Sequence, residues 1–169
     1  QILKGDIEAG IAAKDYTIVV IKYISEYHGV YYHRGQRTSY DNLGNMIETL
    51  KYVGEHEEDI YIKNLVWNLG TINASSLTTD GVAEFLSGTS KYSMVLNINE
   101  NNSVSISDNL SPGSSQITGI KDLGDSKYDR EKKQFYLNYE YIDEASGIRY
   151  VMADTLIYRN TEMELELWD

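Results

Sequence analysis

Cysteine is absent from this 169-residue chain, which excludes disulfides, thiolate nucleophiles and cysteine-bound zinc. The absence does not fix a compartment, because a chain of this length can bury a core without covalent staples. Proline occurs once, at Pro112. No apolar run approaches the roughly 20 residues that span a bilayer as a helix. Basic residues are the minority, 15 against 26 acids, giving a formal net charge of −11. A surface that acidic repels phosphate backbones and anionic lipid, so nucleic acid and direct membrane insertion are not expected. GxSxG, HExxH, a P-loop and a dinucleotide fingerprint are all missing, so the expectation is a non-enzyme without a cofactor. The chain opens at Gln1 without a basic n-region or an apolar h-region, and it reads as a mature fragment or excised domain.

Aromatic usage is lopsided, with 15 Tyr against 2 Phe and 2 Trp. Tyrosine suits half-wet sheet faces, since its ring is apolar and its tip is polar. The stretch 134–159 shows the pattern most clearly. Phe135, Leu137, Tyr139 and Tyr141 fall on one side of an extended chain, with Tyr136, Asn138, Glu140 and Ile142 on the other. Asp143 to Gly147 supplies turn chemistry, and a second Tyr-, Val-, Ile- and Thr-containing run follows over 148–158, predicting an antiparallel hairpin.

The rest of the chain repeats this rhythm. Residues 1–14 read as a lead-in and 15–169 as one β domain. Strands are predicted over 16–24, 28–35, 46–53, 60–71, 91–98, 104–106, 116–123 and 163–168. Asn- and Gly-rich turns fall at 40–45 and 99–102. The fragment Val82 to Leu86 is the best candidate for a short helix, with Asp80 as N-cap and Gly88 beyond its end. About ten short strands without a βαβ rhythm predict an all-β fold. The expected form is an antiparallel up-and-down barrel, lipocalin/calycin-like, of about eight to ten strands; a two-sheet β-sandwich is the alternative.

Three histidines, His28, His33 and His56, lack metal-ligand spacing: in a strand His28 and His33 point to opposite faces. The acidic loop at 55–59 and the Asp122, Asp125 and Asp129 group lack calcium-loop order, so no metal site is expected. Exposed aromatic platforms remain. Trp67 and Trp168 are the two indoles, and Tyr31, Tyr32, His33 and Arg34 form a ring-rich run. These six are the candidate ligand-binding residues, because an outward ring stacks on a sugar face while neighbouring polar groups bind hydroxyls.

Tyr27-His-Gly-Val-Tyr-Tyr-His-Arg-Gly35, Tyr128-Asp129, Phe135-Tyr-Leu-Asn-Tyr-Glu-Tyr141 and Asp154-Thr-Leu-Ile-Tyr-Arg-Asn160 occur in that order. Together they resemble the C-terminal domain of Bacteroidetes surface lipoproteins of unknown function, which follows an N-terminal β-sandwich domain. The resemblance spans 16–160. It implies an all-β domain at the outer membrane near glycan-utilisation machinery, with a lipid-bearing cysteine far upstream. It implies a non-catalytic accessory role in glycan binding or adhesion, with a glycan or another cell-surface protein as partner, and carries no catalytic residue over. A protein-interaction scaffold and a small-ligand-binding barrel are the competing expectations.

Overall fold

The computed structural model describes residues 23–51, 65–83, 85–86, 93–109 and 117–160. The described secondary structure is strand throughout: β1 (Gly29–Tyr40), β2 (Met46–Lys51), β3 (Leu65–Thr71), β4 (Ser76–Thr79), β5 (Gly81–Val82), β6 (Phe85–Leu86), β7 (Met94–Ile98), β8 (Val104–Asp108), β9 (Ile117–Asp122), β10 (Lys127–Asp129), β11 (Gln134–Asp143) and β12 (Arg149–Asn160).

One antiparallel sheet runs β10-β11-β12-β1-β3-β4-β7-β8. Its two ends meet through a Ser103–Lys127 bridge, with Val104 N–H donating to Ser126 O and Tyr128 N–H to Asn102 O, each at 2.9 Å. That contact nearly closes the sheet into a barrel. Strand order follows chain order, as an up-and-down barrel requires, and β12 returns to pair with β1. The sandwich alternative is thereby set aside. The long strands β1 and β11 each carry two shorter strands on one side. Along β1, β3 pairs with 29–33 and β2 with 36–40; along β11, β10 pairs with 134–136 and β9 with 139–143.

Alternation fills the interior. Tyr31, Trp67, Leu69, Leu77, Met94, Leu96, Phe135, Leu137, Tyr139, Tyr141, Met152 and Leu156 are all buried. An eight-position barrel has an interior about wide enough for side chains, so these bulky groups make a core. At one end Tyr27, Tyr31, Tyr128, Phe135 and Tyr158 pack edge to face or tilted, with centroids 4.6–6.4 Å apart. Arg130 closes that end, donating to Tyr27 Oη and Asn102 Oδ1 at 2.7 Å each.

Gly29 begins β1 at φ +152°, and a Cβ there would sit 2.7 Å from the Asn160 carbonyl oxygen. The two backbones approach closely at that glycine, beside a register shift between Val30 and Tyr31. The 40–45 turn is as expected. The Asp41 carboxylate accepts from Leu43 N, Asn45 N and Asn45 Nδ2, which holds its pKa below the usual carboxylate value, Asn45 contributing most.

Several expectations need correction. The Val82 to Leu86 fragment forms a tight β5–β6 hairpin, not a helix. A segment this short gains little from helix propagation, and Ala83 takes a left-handed φ of +51° at the turn while it and Val82 are buried. Asp80 caps no helix; it accepts from the Asn68 backbone N–H at 2.8 Å and Nδ2 at 2.7 Å. The strand predicted at 28–35 continues to Tyr40, and a short strand absent from the predicted set, β10, lies at 127–129. Of the strand predicted at 16–24, only Tyr23 and Ile24 are described, and neither is in a strand. The 1–14 lead-in, the 110–115 loop and the 163–168 strand lie outside the described residues.

Burial pushes the hydroxyls of Tyr27, Tyr31, Tyr128 and Tyr141 above the ordinary phenol value of 10.0. In the unfolded chain these phenols ionise near that ordinary value, so their contribution is complete below about pH 10 and is lost as pH rises through the higher folded values. In an alkaline titration, part of the tyrosinate absorbance should appear only together with loss of the β-sheet circular dichroism. If all 15 tyrosines ionised while the sheet signal was intact, the assigned burial would be wrong.

Candidate functional site

The six candidates separate by strand parity. On β1, Tyr31 and His33 point into the barrel and are buried, while Tyr32 and Arg34 point outward and are half-buried. Tyr31 donates its hydroxyl to Tyr27 O at 2.7 Å, a structural bond. Trp67, paired with Tyr31 on β3, is fully buried, so it fills the core and offers no exposed platform. A bulky indole at an inward position gains more from the core than from water. Trp168 lies outside the described residues.

Inside the barrel, His33, Trp67, Tyr139 and Asp154 meet. The His33 ring stacks on the Trp67 indole at 4.1 Å between centroids. Tyr139 donates its hydroxyl to Asp154 Oδ2 at 2.6 Å and accepts the Ala83 N–H at 2.8 Å. The same Asp154 oxygen lies 3.1 Å from His33 Nε2, a close electrostatic contact rather than an aligned hydrogen bond. Both side chains are wholly shielded from water, and the hairpin residue Ala83 is tied to the cluster. An Asp–His pair in contact with solvent can move a proton, but a sealed pair organises the core. Among the described residues, no three His, Asp or Glu side chains converge as metal ligands.

Outside, the register of β10, β11, β12, β1 and β2 builds a grid. Lys127, Tyr136, Thr155 and Arg34 form one row across four strands, by the pairs Lys127–Tyr136, Tyr136–Thr155 and Thr155–Arg34. Asn138, Ala153, Gln36 and Lys51 form the next. Thr155 and Ala153 are small and make a floor along β12. Taller side chains rise on β11 and β1, so the face is a shallow trough. Tyr136 is steadied by its hydroxyl bond to Gln134 Oε1 at 2.9 Å, and Lys127 Nζ lies 5.5 Å from its ring centroid. Tyr32 flanks the trough with Arg159 at 5.6 Å. Of the candidates among the described residues, Tyr32 and Arg34 belong to this face. Tyr136 and Asn138 already shared an outward side by alternation; their juxtaposition with Arg34 and Gln36 depended on the β12–β1 closure.

The fold and its trough define a nearly closed antiparallel barrel with a packed interior and a polar, aromatic outer face. No family model and no curated protein matches the chain. Among solved structures it is similar to a structural-genomics protein of unknown function from Bacteroides ovatus, at 20% identity and a TM-score of 0.56 over 82% of this chain. The chain spans 43% of that protein's length. At this identity the likeness shows a shared fold. It agrees with the sequence resemblance at the level of a Bacteroidetes domain of unknown function.

Proposed function

We propose that this is a non-catalytic accessory domain of a cell-surface lipoprotein, anchored upstream, that holds a glycan on the outer face of β11, β12 and β1. The observation that carries the reading is the trough. A partly exposed Tyr136 ring stands beside the Asn138 and Gln36 amides, the Thr155 hydroxyl and the Arg34 guanidinium over a small-residue floor. Sugars present an apolar ring face and a rim of hydroxyls, and these groups match both. The interior favours this placement over a ligand inside the barrel, since its described positions are occupied by Trp, Tyr, Phe, Leu and Met.

A glycan array followed by calorimetry tests the reading. Tyr136→Ala should weaken the ligand found by about tenfold, as loss of one stacking face worth on the order of 1–1.5 kcal/mol requires. Its sheet spectrum should be unchanged, because the ring faces outward. Unaltered affinity in that variant would move the site elsewhere.

A scaffold role has a separate observation: Leu43, Met46, Ile47 and Leu50 of the β1–β2 hairpin are exposed, Leu43 by 87%. Silence across the array with concentration-dependent self-association would favour that alternative.

A further inference from the structure

Resting on the glycan-binding reading, we infer that the trough selects an anionic polysaccharide, one that carries a carboxylate on its sugar rings. The charge of the trough runs against that of the chain. The sequence carries −11 overall, yet Lys127, Arg34 and Lys51 stand at the corners of the two-row grid. Among the described residues none of the three has a carboxylate partner. Two acids border the grid and both are engaged: Glu140 by Arg149 at 2.8 Å and Lys121 at 3.8 Å, and Asp129, two residues from Lys127 on β10, by Lys132 at 3.7 Å. Three cations therefore border the floor with no ion pair to a described carboxylate.

The arrangement of ring and cation narrows the ligand. Lys127 Nζ lies over the Tyr136 ring, 5.5 Å from its centroid. A uronic acid stacked on that ring would bring its carboxylate toward the ammonium while its hydroxyls meet Asn138 and Gln36. Arg34, across the Thr155 floor, is placed for the carboxylate of a neighbouring sugar, and a guanidinium fork suits a carboxylate. Nucleic acid fits less well. A duplex carries about one charge per 1.7 Å of its axis, and the acidic remainder of the chain opposes so dense an anion. A uronate chain carries its charge ring by ring and exposes the apolar faces that Tyr136 can use.

The test uses the whole chain with uronate oligosaccharides of several linkages, galacturonan, glucuronan and alginate, each beside its neutral methyl ester. Poly-glutamate and single-stranded DNA serve as polyanion controls. Binding to at least one free acid is expected, lowered at least fivefold by methyl esterification and weakened by added salt. Arg34→Gln, Lys51→Gln and Lys127→Gln should each reduce affinity about two- to fivefold, and the triple variant by roughly tenfold to a hundredfold, with unchanged circular dichroism. Equal binding of acid and ester would overturn the charge inference and leave the glycan reading standing. Equal binding of poly-glutamate or DNA would overturn it as general polyanion adhesion. Silence toward every free acid would overturn it too, and silence toward the neutral esters and a wider neutral array would remove the glycan reading with it.

Discussion

Replacing Asp154 with alanine is expected to lower folding stability by about 3–5 kcal/mol, the range typical of removing one member of a buried polar pair. The carboxylate is the shared acceptor of the cluster. Tyr139 donates to its Oδ2 at 2.6 Å, and His33 Nε2 sits 3.1 Å from the same atom. Alanine takes that acceptor away and leaves a gap between Met152 and Leu156, both buried on the same face of β12. The bond from Tyr139 also fixes the ring that receives the Ala83 N–H, so the β5–β6 hairpin loses part of its anchor. Urea unfolding should show a lower midpoint with an unchanged slope.

Asp154→Asn separates charge from shape. It keeps the side-chain volume and one acceptor oxygen for Tyr139, and its expected cost is smaller, about 1–3 kcal/mol. If the cluster organises the core and takes no part in ligand binding, this variant holds a trough ligand as tightly as the parent does. An alanine variant within about 0.5 kcal/mol of the parent would show the cluster to be dispensable.

The parity of β11 and β12 was legible because every second residue from Phe135 to Tyr141 is large and apolar, a pattern tertiary packing reinforces. Asp154 was legible in principle. It shares a face with Met152 and Leu156, and an acid in phase with two core residues signals a buried, partnered carboxylate. The 82–86 fragment was not, since a short apolar run reads equally as a helix or a hairpin until its contact with Tyr139 is known. The trough was half-legible. Tyr32 and Arg34 follow from the β1 alternation, but which strand would lie beside them depends on closure between chain segments more than 100 positions apart, and local pattern carries no such information. The same alternation argues that Tyr31 and His33 cannot join Tyr32 and Arg34 in one outward site.

Trp67→Ala is expected to cost about 3–5 kcal/mol, the range for truncating a large aromatic in a close-packed interior. The indole is wholly buried, stacks on His33, and is paired through β3 to Tyr31, so its removal opens a cavity between the aromatic end of the barrel and the polar cluster. The backbone around it has little freedom to collapse, because β3 is held between β1 and β4. Trp67→Phe isolates the cause. Among the described residues the indole Nε1–H meets no acceptor, so phenylalanine forfeits no protein hydrogen bond there and keeps an aromatic face for His33. Its cost should be about 1–2 kcal/mol, from the smaller ring alone. A phenylalanine variant as unstable as the alanine one would mean that the N–H has an acceptor after all, and that Trp67 anchors the core by a polar contact instead of by volume. The ratio of the two losses therefore measures how much of the core at this level is held by packing, and it does so without reference to any ligand.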